Sequence, residues 1–419
     1  MSERNQIRID DLREPRLSEM QTAALNYAAG LKICFDEDDV LAEAMSRSGL
    51  SDFGSAAFRP RLRAQLGAIE ADTGLTGLGR LILRRRMVGL LVARLRFEDF
   101  LRHHPEALEV ELEPPIIVVG LPRSGTTHLV NLIAADQRFR ALPWWECQEP
   151  FPGRGDGPGP DGVDPRFQRA LASYEAETSM APVTRAMHDR RPDAIEEECE
   201  LLDLDFAGYT LEWHARVPGW RDFYFGIDQD ASYAYLVRIL KALTFLRGPR
   251  RWVLKTPQHL EQLGPLTRTF PEATLAFTLR DPVAVLQSAM TMLGYGDRVR
   301  RHEVGLSELA EYWTARIEQL LRAFVRDRDR LAPQRCVDVE FNEFMSDDVT
   351  MVERIFSVAG LDLPGAARRQ LDAYMRAHPR GQHGQVVYDL KGDFGLRADE
   401  LRERFAFYFE RFPGVRAEV

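Results

Sequence analysis

Apolar positions along this 419-residue chain change their spacing near residue 113. From residue 17 to about 110 they recur at helical intervals, and no convincing strand interrupts them. Leu81, Val88, Leu91, Val92 and Leu95 fall along one side of a helix that also carries Arg84, Arg85, Arg86, Arg94 and Arg96. Such a helix is expected to lay its apolar side on a core and keep its basic side in solvent, with a membrane or an anionic substrate as the alternative contact. From residue 113 onward the pattern becomes strand, turn and helix, with apolar runs at 116–119, 252–254, 274–279 and 336–339. Uninterrupted runs of this length suit strands covered on both faces, and strands alternating with helical stretches build parallel sheets. The expected fold class is therefore α/β, a mainly parallel central sheet flanked by helices. After residue 306 the pattern is helical again apart from the 336–339 run, and it closes on an aromatic, charged stretch at 405–412. The implied organisation is a helical cap over 1–112, a core domain over 113–390 and a helical tail over 391–419.

Chemistry enters at 115–129, where Pro-Ile-Ile-Val-Val-Gly-Leu-Pro-Arg-Ser-Gly-Thr-Thr-His-Leu reads as a buried strand, a tight turn and a helix start. Gly120 and Gly125 let the backbone approach an anion, and the new helix offers unpaired N–H groups and its positive dipole end. A nucleotide triphosphatase loop would carry Lys where Thr126 stands, which argues against a P-loop kinase. The loop's one cation is Arg123, inside the turn itself. In open parallel sheets ligands collect at the carboxyl ends of the strands. Arg123, Lys255 and Arg280 each follow such an end, so three cations are expected to converge on one crevice.

Charge narrows the partners. With 55 Lys and Arg against 64 Asp and Glu, a net charge of −9 excludes a general basic surface for nucleic acid and leaves local pockets for a small anion. Cys34, Cys147, Cys199 and Cys336 stand singly, without a C-x-x-C pair, which fits a reducing compartment. The charged start of the chain lacks the apolar centre of a signal peptide, and no run approaches the roughly 18 apolar residues of a spanning helix. A soluble cytoplasmic protein without a transmembrane segment is expected. The histidines and cysteines show no ligand cluster, so no metal is expected.

Pro122-Arg123-Ser124-Gly125-Thr126-Thr127 resembles the 5′-phosphosulfate loop of sulfotransferases that use 3′-phosphoadenosine-5′-phosphosulfate (PAPS). The stretch 270–282 resembles that family's 3′-phosphate site, with Arg280 at a strand end and Ser288 about two turns into the following helix. A guanidinium fork and a hydroxyl suit a phosphate monoester. Trp252-Val253-Leu254-Lys255-Thr256-Pro257 is similar to the strand-Lys-x-Pro segment of the tyrosylprotein branch, which implies a catalytic role for Lys255. His378-Pro379-Arg380-Gly381 resembles the basic segment that folds over the cofactor, implying that Arg380 and Gly381 contact it. The resemblance spans 114–385. It implies a P-loop-like fold and in-line, base-assisted, metal-independent sulfuryl transfer from PAPS to a hydroxyl of a small-molecule or lipid-like acceptor. A P-loop nucleotide kinase and a non-catalytic nucleotide-binding protein are the alternatives.

The general base has three candidates. Glu146 lies near the spacing of the tyrosylprotein branch's catalytic Glu, beside Trp144 and Trp145, which would desolvate its carboxyl. Glu197 and His128 are the alternatives, and His259 is within possible reach of the crevice. Trp213, Trp220, Phe223, Tyr224, Phe225, Tyr233 and Tyr235 are candidates for an apolar acceptor pocket or for core. Residues 152–165, nine of them Pro or Gly, read either as a mobile loop gating the acceptor or as an inert insertion.

Overall fold

Seven strands form among the described residues: β1 (Gln6–Arg8), β2 (Ile116–Gly120), β3 (Phe139–Arg140), β4 (Arg251–Lys255), β5 (Thr274–Leu279), β6 (Cys336–Glu340) and β7 (Gln385–Val387). They are seen in a computed structural model that describes residues 6–157, 159 and 162–419. Five make one parallel sheet in the order β3-β4-β2-β5-β6. The apolar runs of β2, β4 and β5 are continuous because both faces are covered there, whereas the edge strand β6 alternates buried and half-buried positions. Ile117 and Val119 of β2 point into one core cluster and Ile116 and Val118 into another, all at 0 % exposure. Each such side chain contributes about 1.5–3 kcal/mol by burial. The connection after β2 runs to one edge of the sheet and the connection after β5 to the other. The chain therefore parts at the carboxyl ends of β2 and β5, where a ligand crevice belongs.

The helices used below are α1 (Glu19–Ala29), α2 (Glu37–Ser48), α3 (Arg59–Ala71), α4 (Gly77–His103), α5 (Thr126–Ala135), α6 (Trp144–Gln148), α7 (Asp230–Arg247), α8 (Pro282–Arg300), α9 (Leu306–Arg328) and α10 (Asp348–Val358). Ser18 and Gln21 form a reciprocal capping box on α1, and Thr76 caps α4. Asp281 caps α8 through the N–H of Val283, with Pro282 at the first helical position. Leu83, Val88, Leu91 and Leu95 of α4 bury against α2 and α3 in a core cluster that also takes Phe206, Leu211, Trp220 and Tyr224. Ala93, Phe97 and Leu101 of the same helix enter the sheet's own cluster.

The basic side of α4 is not a solvated face. Arg94 is 1 % exposed, bonded to Asp205 at 3.1 Å and stacked on Phe58 and Tyr235. Arg86 reaches Glu200 at 3.0 Å and Asp203, Arg84 reaches Glu43 at 2.8 Å, and Arg96 pairs with Glu149. Of the five arginines only Arg85 is exposed. The helix thus ties the segment around 200–205 to the rest of the chain through charge as well as apolar packing. Among the described residues no helix is long and apolar enough to cross a membrane.

Candidate active site

The loop between β2 and α5 is built on close backbone approach. A Cβ at Gly120 would sit 1.8 Å from Thr278 Oγ1 on the neighbouring strand β5. Gly120→Ala is therefore expected to push β2 off β5 and lower the thermal unfolding midpoint by several degrees, which a melting curve checks. Ser124 Oγ donates to the carbonyl of Leu121 and lies 2.6 Å from Thr278 Oγ1, fixing the turn to β5. Arg123 has φ of 65° and Gly125 φ of 89°, the left-handed bend that aims the N–H groups of the loop inward. No side chain caps α5. Its first-turn N–H groups are free to meet an anion.

Three cations stand at the strand ends. Lys255, 1 % exposed, ends β4, and its Nζ lies 2.6 Å from Glu197 Oε1 and 3.5 Å from Thr127 Oγ1 of the loop. Burial pushes this amine down, but Glu197 and Glu196 outweigh burial and leave its pKa raised, so it is a cation at neutral pH. The Lys255 N–H donates to Glu198 Oε2 at 2.6 Å. Glu198 Oε1 in turn faces His259 Nε2 at 2.6 Å, and His259 Nδ1 faces Tyr233 OH at 2.7 Å. His259 is fully buried in this chain of contacts and does not enter the crevice.

Arg123 reaches across from the loop. Its Nε donates to Ser288 Oγ at 3.1 Å and its Nη1 to the carbonyl of Met187. The guanidinium keeps some solvent contact, yet burial lowers its pKa, and nearby Arg280 lowers it further. Among the described residues no carboxylate pairs with it. An enclosed cation without a counter-anion is costly, so this position asks for an anionic ligand. Ser288 Oγ donates to Tyr388 OH at 2.9 Å. Arg280 Nη1 donates to the Arg123 carbonyl, its plane lies 3.9 Å over Phe341, and its other edge holds Glu418.

Other expected site residues lie elsewhere. Glu146, the base preferred on spacing, is 2 % exposed and bonded to Arg247 of α7 at 2.7 Å. Burial raises its pKa as its tryptophan neighbours suggest, but the cations around it are Arg247, Arg140 and Arg166, not those of the loop. The structure brings Glu197 to Lys255 instead. His128 lies on the far side of the first turn of α5, 3.3 Å from Asp348 and 3.2 Å from Arg380. Arg380 also pairs with Asp348 of α10 and the Met345 carbonyl, while Gly381, with φ of 74°, is exposed. Thr126 is buried and Thr127 exposed; Pro122 is buried under the turn.

The aromatic group is core rather than pocket. Trp220 and Tyr224 are at most 1 % exposed against the N-terminal helices, and Tyr233 and Tyr235 pack in the sheet's cluster. Trp213 packs against Trp313 with ring centroids 4.4 Å apart and planes tilted by 48°, Phe223 packs beside Trp220, and Phe225 is exposed. The 152–165 segment is pinned at its start, where Asp156 accepts from Gly153 N–H at 2.8 Å and pairs with Arg169; residues 158, 160 and 161 lie outside the described residues. A cleft of about 520 Å³ lined by Gln229, Glu261, Arg268 and Arg326 contains none of the candidate residues. The candidate residues gather outside that cavity, at the carboxyl ends of β2, β4 and β5. Among the described residues no group of three or more His, Cys, Asp or Glu side chains is placed to hold a metal.

Three participants were not legible from local sequence. Tyr388, just past β7, reaches Ser288, and Glu418 reaches Arg280; both are contacts between distant segments with no local signature. Glu196 lay inside an acidic run that reads as helix-start charge, but it is 6 % exposed and bonded to His188 at 2.9 Å. Burial raises its carboxyl; His188, Arg190 and Lys255 overcome this and hold it at about 2. A depressed carboxylate stabilises the fold above its ordinary value of 4.5, and that contribution is lost as pH falls toward 2. Glu196→Gln is expected to cost roughly 3 kcal/mol at neutral pH. Its difference from wild type should narrow as pH falls below 4.5, as denaturant midpoints across pH would report.

Residues 114–365, which contain the loop, Lys255, Arg280 and Ser288, match the profile of the sulfotransferase family, and the chain belongs to it. Among solved structures, sulfotransferase STF1 of Mycobacterium tuberculosis H37Rv is 27 % identical with a TM-score of 0.78, over 89 % of this chain and 98 % of that one. Sulfotransferase STF9 of Mycobacterium avium is 25 % identical with a TM-score of 0.81, over 93 % and 99 %. The omega-hydroxy-beta-dihydromenaquinone-9 sulfotransferase Stf3 of Mycobacterium tuberculosis (strain CDC 1551 / Oshkosh) is 22 % identical over 256 residues, 59 % of this chain. The match spans 63 % of that relative, less than two thirds of its length.

Proposed function

We propose that this protein transfers the sulfuryl group of PAPS to a hydroxyl of a lipid-like or small-molecule acceptor. The observation that carries the reading is Arg123, an enclosed cation at the mouth of an uncapped helix with no carboxylate partner among the described residues. PAPS supplies an activated sulfuryl group on a bisphosphate leaving group. The N–H groups of 125–127 and the Thr126 and Thr127 hydroxyls would hold its 5′-phosphosulfate, Arg280 and Ser288 its 3′-phosphate, and Arg380 with Gly381 would border the site. Arg123 and Lys255 neutralise charge on the oxygen that leaves, so the protein's own cations do the work a metal does elsewhere.

Glu197 takes the acceptor's proton. It is the carboxylate paired with Lys255, whose Nζ also reaches Thr127 of the loop, and it is part-exposed at 20 % of its side chain. The lipid-like acceptor is supported by the name of the Stf3 relative, which acts on a hydroxylated menaquinone. The four unpaired cysteines fit a cytoplasmic setting.

Arg280→Ala tests the donor assignment. It should weaken adenosine 3′,5′-bisphosphate by about 10- to 100-fold, the value of a charge-assisted fork, and leave adenosine 5′-monophosphate unaffected. Equal affinity for bisphosphate in wild type and variant would place the 3′-phosphate elsewhere.

A further inference from the structure

Arg280 already holds an anion of the protein's own. Its Nε donates to Glu418 Oε1 at 2.9 Å and its Nη2 to Oε2 at 2.7 Å, the side-by-side arrangement that a guanidinium offers a phosphate. The side chains are 22 % and 20 % exposed, so the pair is partly shielded although Glu418 lies at the surface. The backbone that carries Glu418 is fixed as well. Its N–H donates at 2.8 Å to Asp281, a fully buried residue next to Arg280 and the cap of α8. Arg402 bonds the carbonyl of Val419, and Val415 packs on the main core. The other half of the proposed 3′-phosphate site is engaged too, since Ser288 Oγ is shared between Arg123 and Tyr388.

We infer that Glu418 is an internal stand-in for the 3′-phosphate. Its carboxylate holds the Arg280 fork in place while the site lacks nucleotide, yields it when the donor binds, and takes it back as the bisphosphate product leaves. This rests on the reading of Arg280 and Ser288 as the 3′-phosphate site. A phosphate monoester carries more charge than a carboxylate and wins the fork, but only against the fraction of molecules in which Glu418 occupies it. Apparent affinity falls by that fraction, for donor and product alike. Glu418 thereby limits product inhibition, a part in the reaction cycle that no residue of the loop can play. If Glu418 instead stayed in place and merely oriented Arg280, removing it would weaken binding. The sign of the effect separates the two.

The test is calorimetric titration of adenosine 3′,5′-bisphosphate into wild type, Glu418→Gln and Glu418→Ala, with adenosine 5′-monophosphate as the ligand lacking the 3′-phosphate. Both variants should bind bisphosphate more tightly, by about 10- to 100-fold if the carboxylate occupies the fork in most unliganded molecules. The monophosphate should be unchanged, and adding Arg280→Ala should abolish the gain. Melting curves of the two variants verify that only a side chain near the surface has changed. Unchanged or weaker bisphosphate binding, with wild type still selective for the 3′-phosphate, would overturn the stand-in and leave the donor site intact. Absence of 3′-phosphate selectivity in wild type and in both variants would remove the donor site and this inference with it.

Discussion

Arg123→Ala is expected to lower kcat/KM for sulfuryl transfer by about 10²- to 10³-fold, the usual cost of removing one donor aimed at developing charge. The fold should survive. The guanidinium touches a hydroxyl and a carbonyl but, among the described residues, no carboxylate, so the variant discards an enclosed charge whose pKa burial already depresses. Its unfolding free energy should therefore not fall by more than the loss of two hydrogen bonds, about 1–3 kcal/mol. Steady-state release of adenosine 3′,5′-bisphosphate in the presence of acceptor, with a melting curve on the same sample, reads both quantities. Retained turnover would remove Arg123 from the chemistry.

The second large effect is expected at Glu197. Glu197→Gln should reduce kcat by about 10²- to 10⁴-fold, the range of a positioned general base, with little change in bisphosphate affinity. Glu146→Gln is the comparison that gives this weight, because Glu146 is bonded to Arg247 and surrounded by cations outside the loop. It should turn over normally. The Glu197 variant also strips Lys255 of its first counter-charge. Lys255 has a raised pKa, so its pairing stabilises the fold below the ordinary 10.5 and that contribution disappears only as pH climbs past its folded value. The stability difference between wild type and Glu197→Gln should accordingly be flat across neutral pH and narrow in strong alkali. Inverted kinetics, with Glu146→Gln inactive and Glu197→Gln active, would return the base to the residue preferred on spacing.

Local pattern carried the sheet, since β2, β4 and β5 each coincide with an apolar run that two covered faces require, while the edge strand β6 alternates buried Val337 and Val339 with half-buried Asp338. It carried the cations for the same reason, because a strand end fixes where Arg123, Lys255 and Arg280 emerge. What it missed depends on partners far along the chain. β1 is three residues with one apolar side chain and exists because β7 pairs with it. The arginines of α4 look solvated until the acids near 200–205 are folded against them. Glu146 is desolvated by its tryptophans, as the sequence suggested, but its orientation is set by Arg247, 101 residues away. Glu418 meets Arg280 across 138 residues. A carboxylate's environment can be read from its neighbours in sequence; the cation it faces cannot.

The most direct measurement is a calorimetric titration of the wild-type protein with adenosine 3′,5′-bisphosphate, with ADP and ATP–magnesium as controls. Binding of the bisphosphate in clear preference to both is the predicted result, because Arg280 and Ser288 are the proposed partners of a 3′-phosphate, which neither control carries. Preference for ATP–magnesium, or no nucleotide binding, would contradict the assignment of this cleft to PAPS.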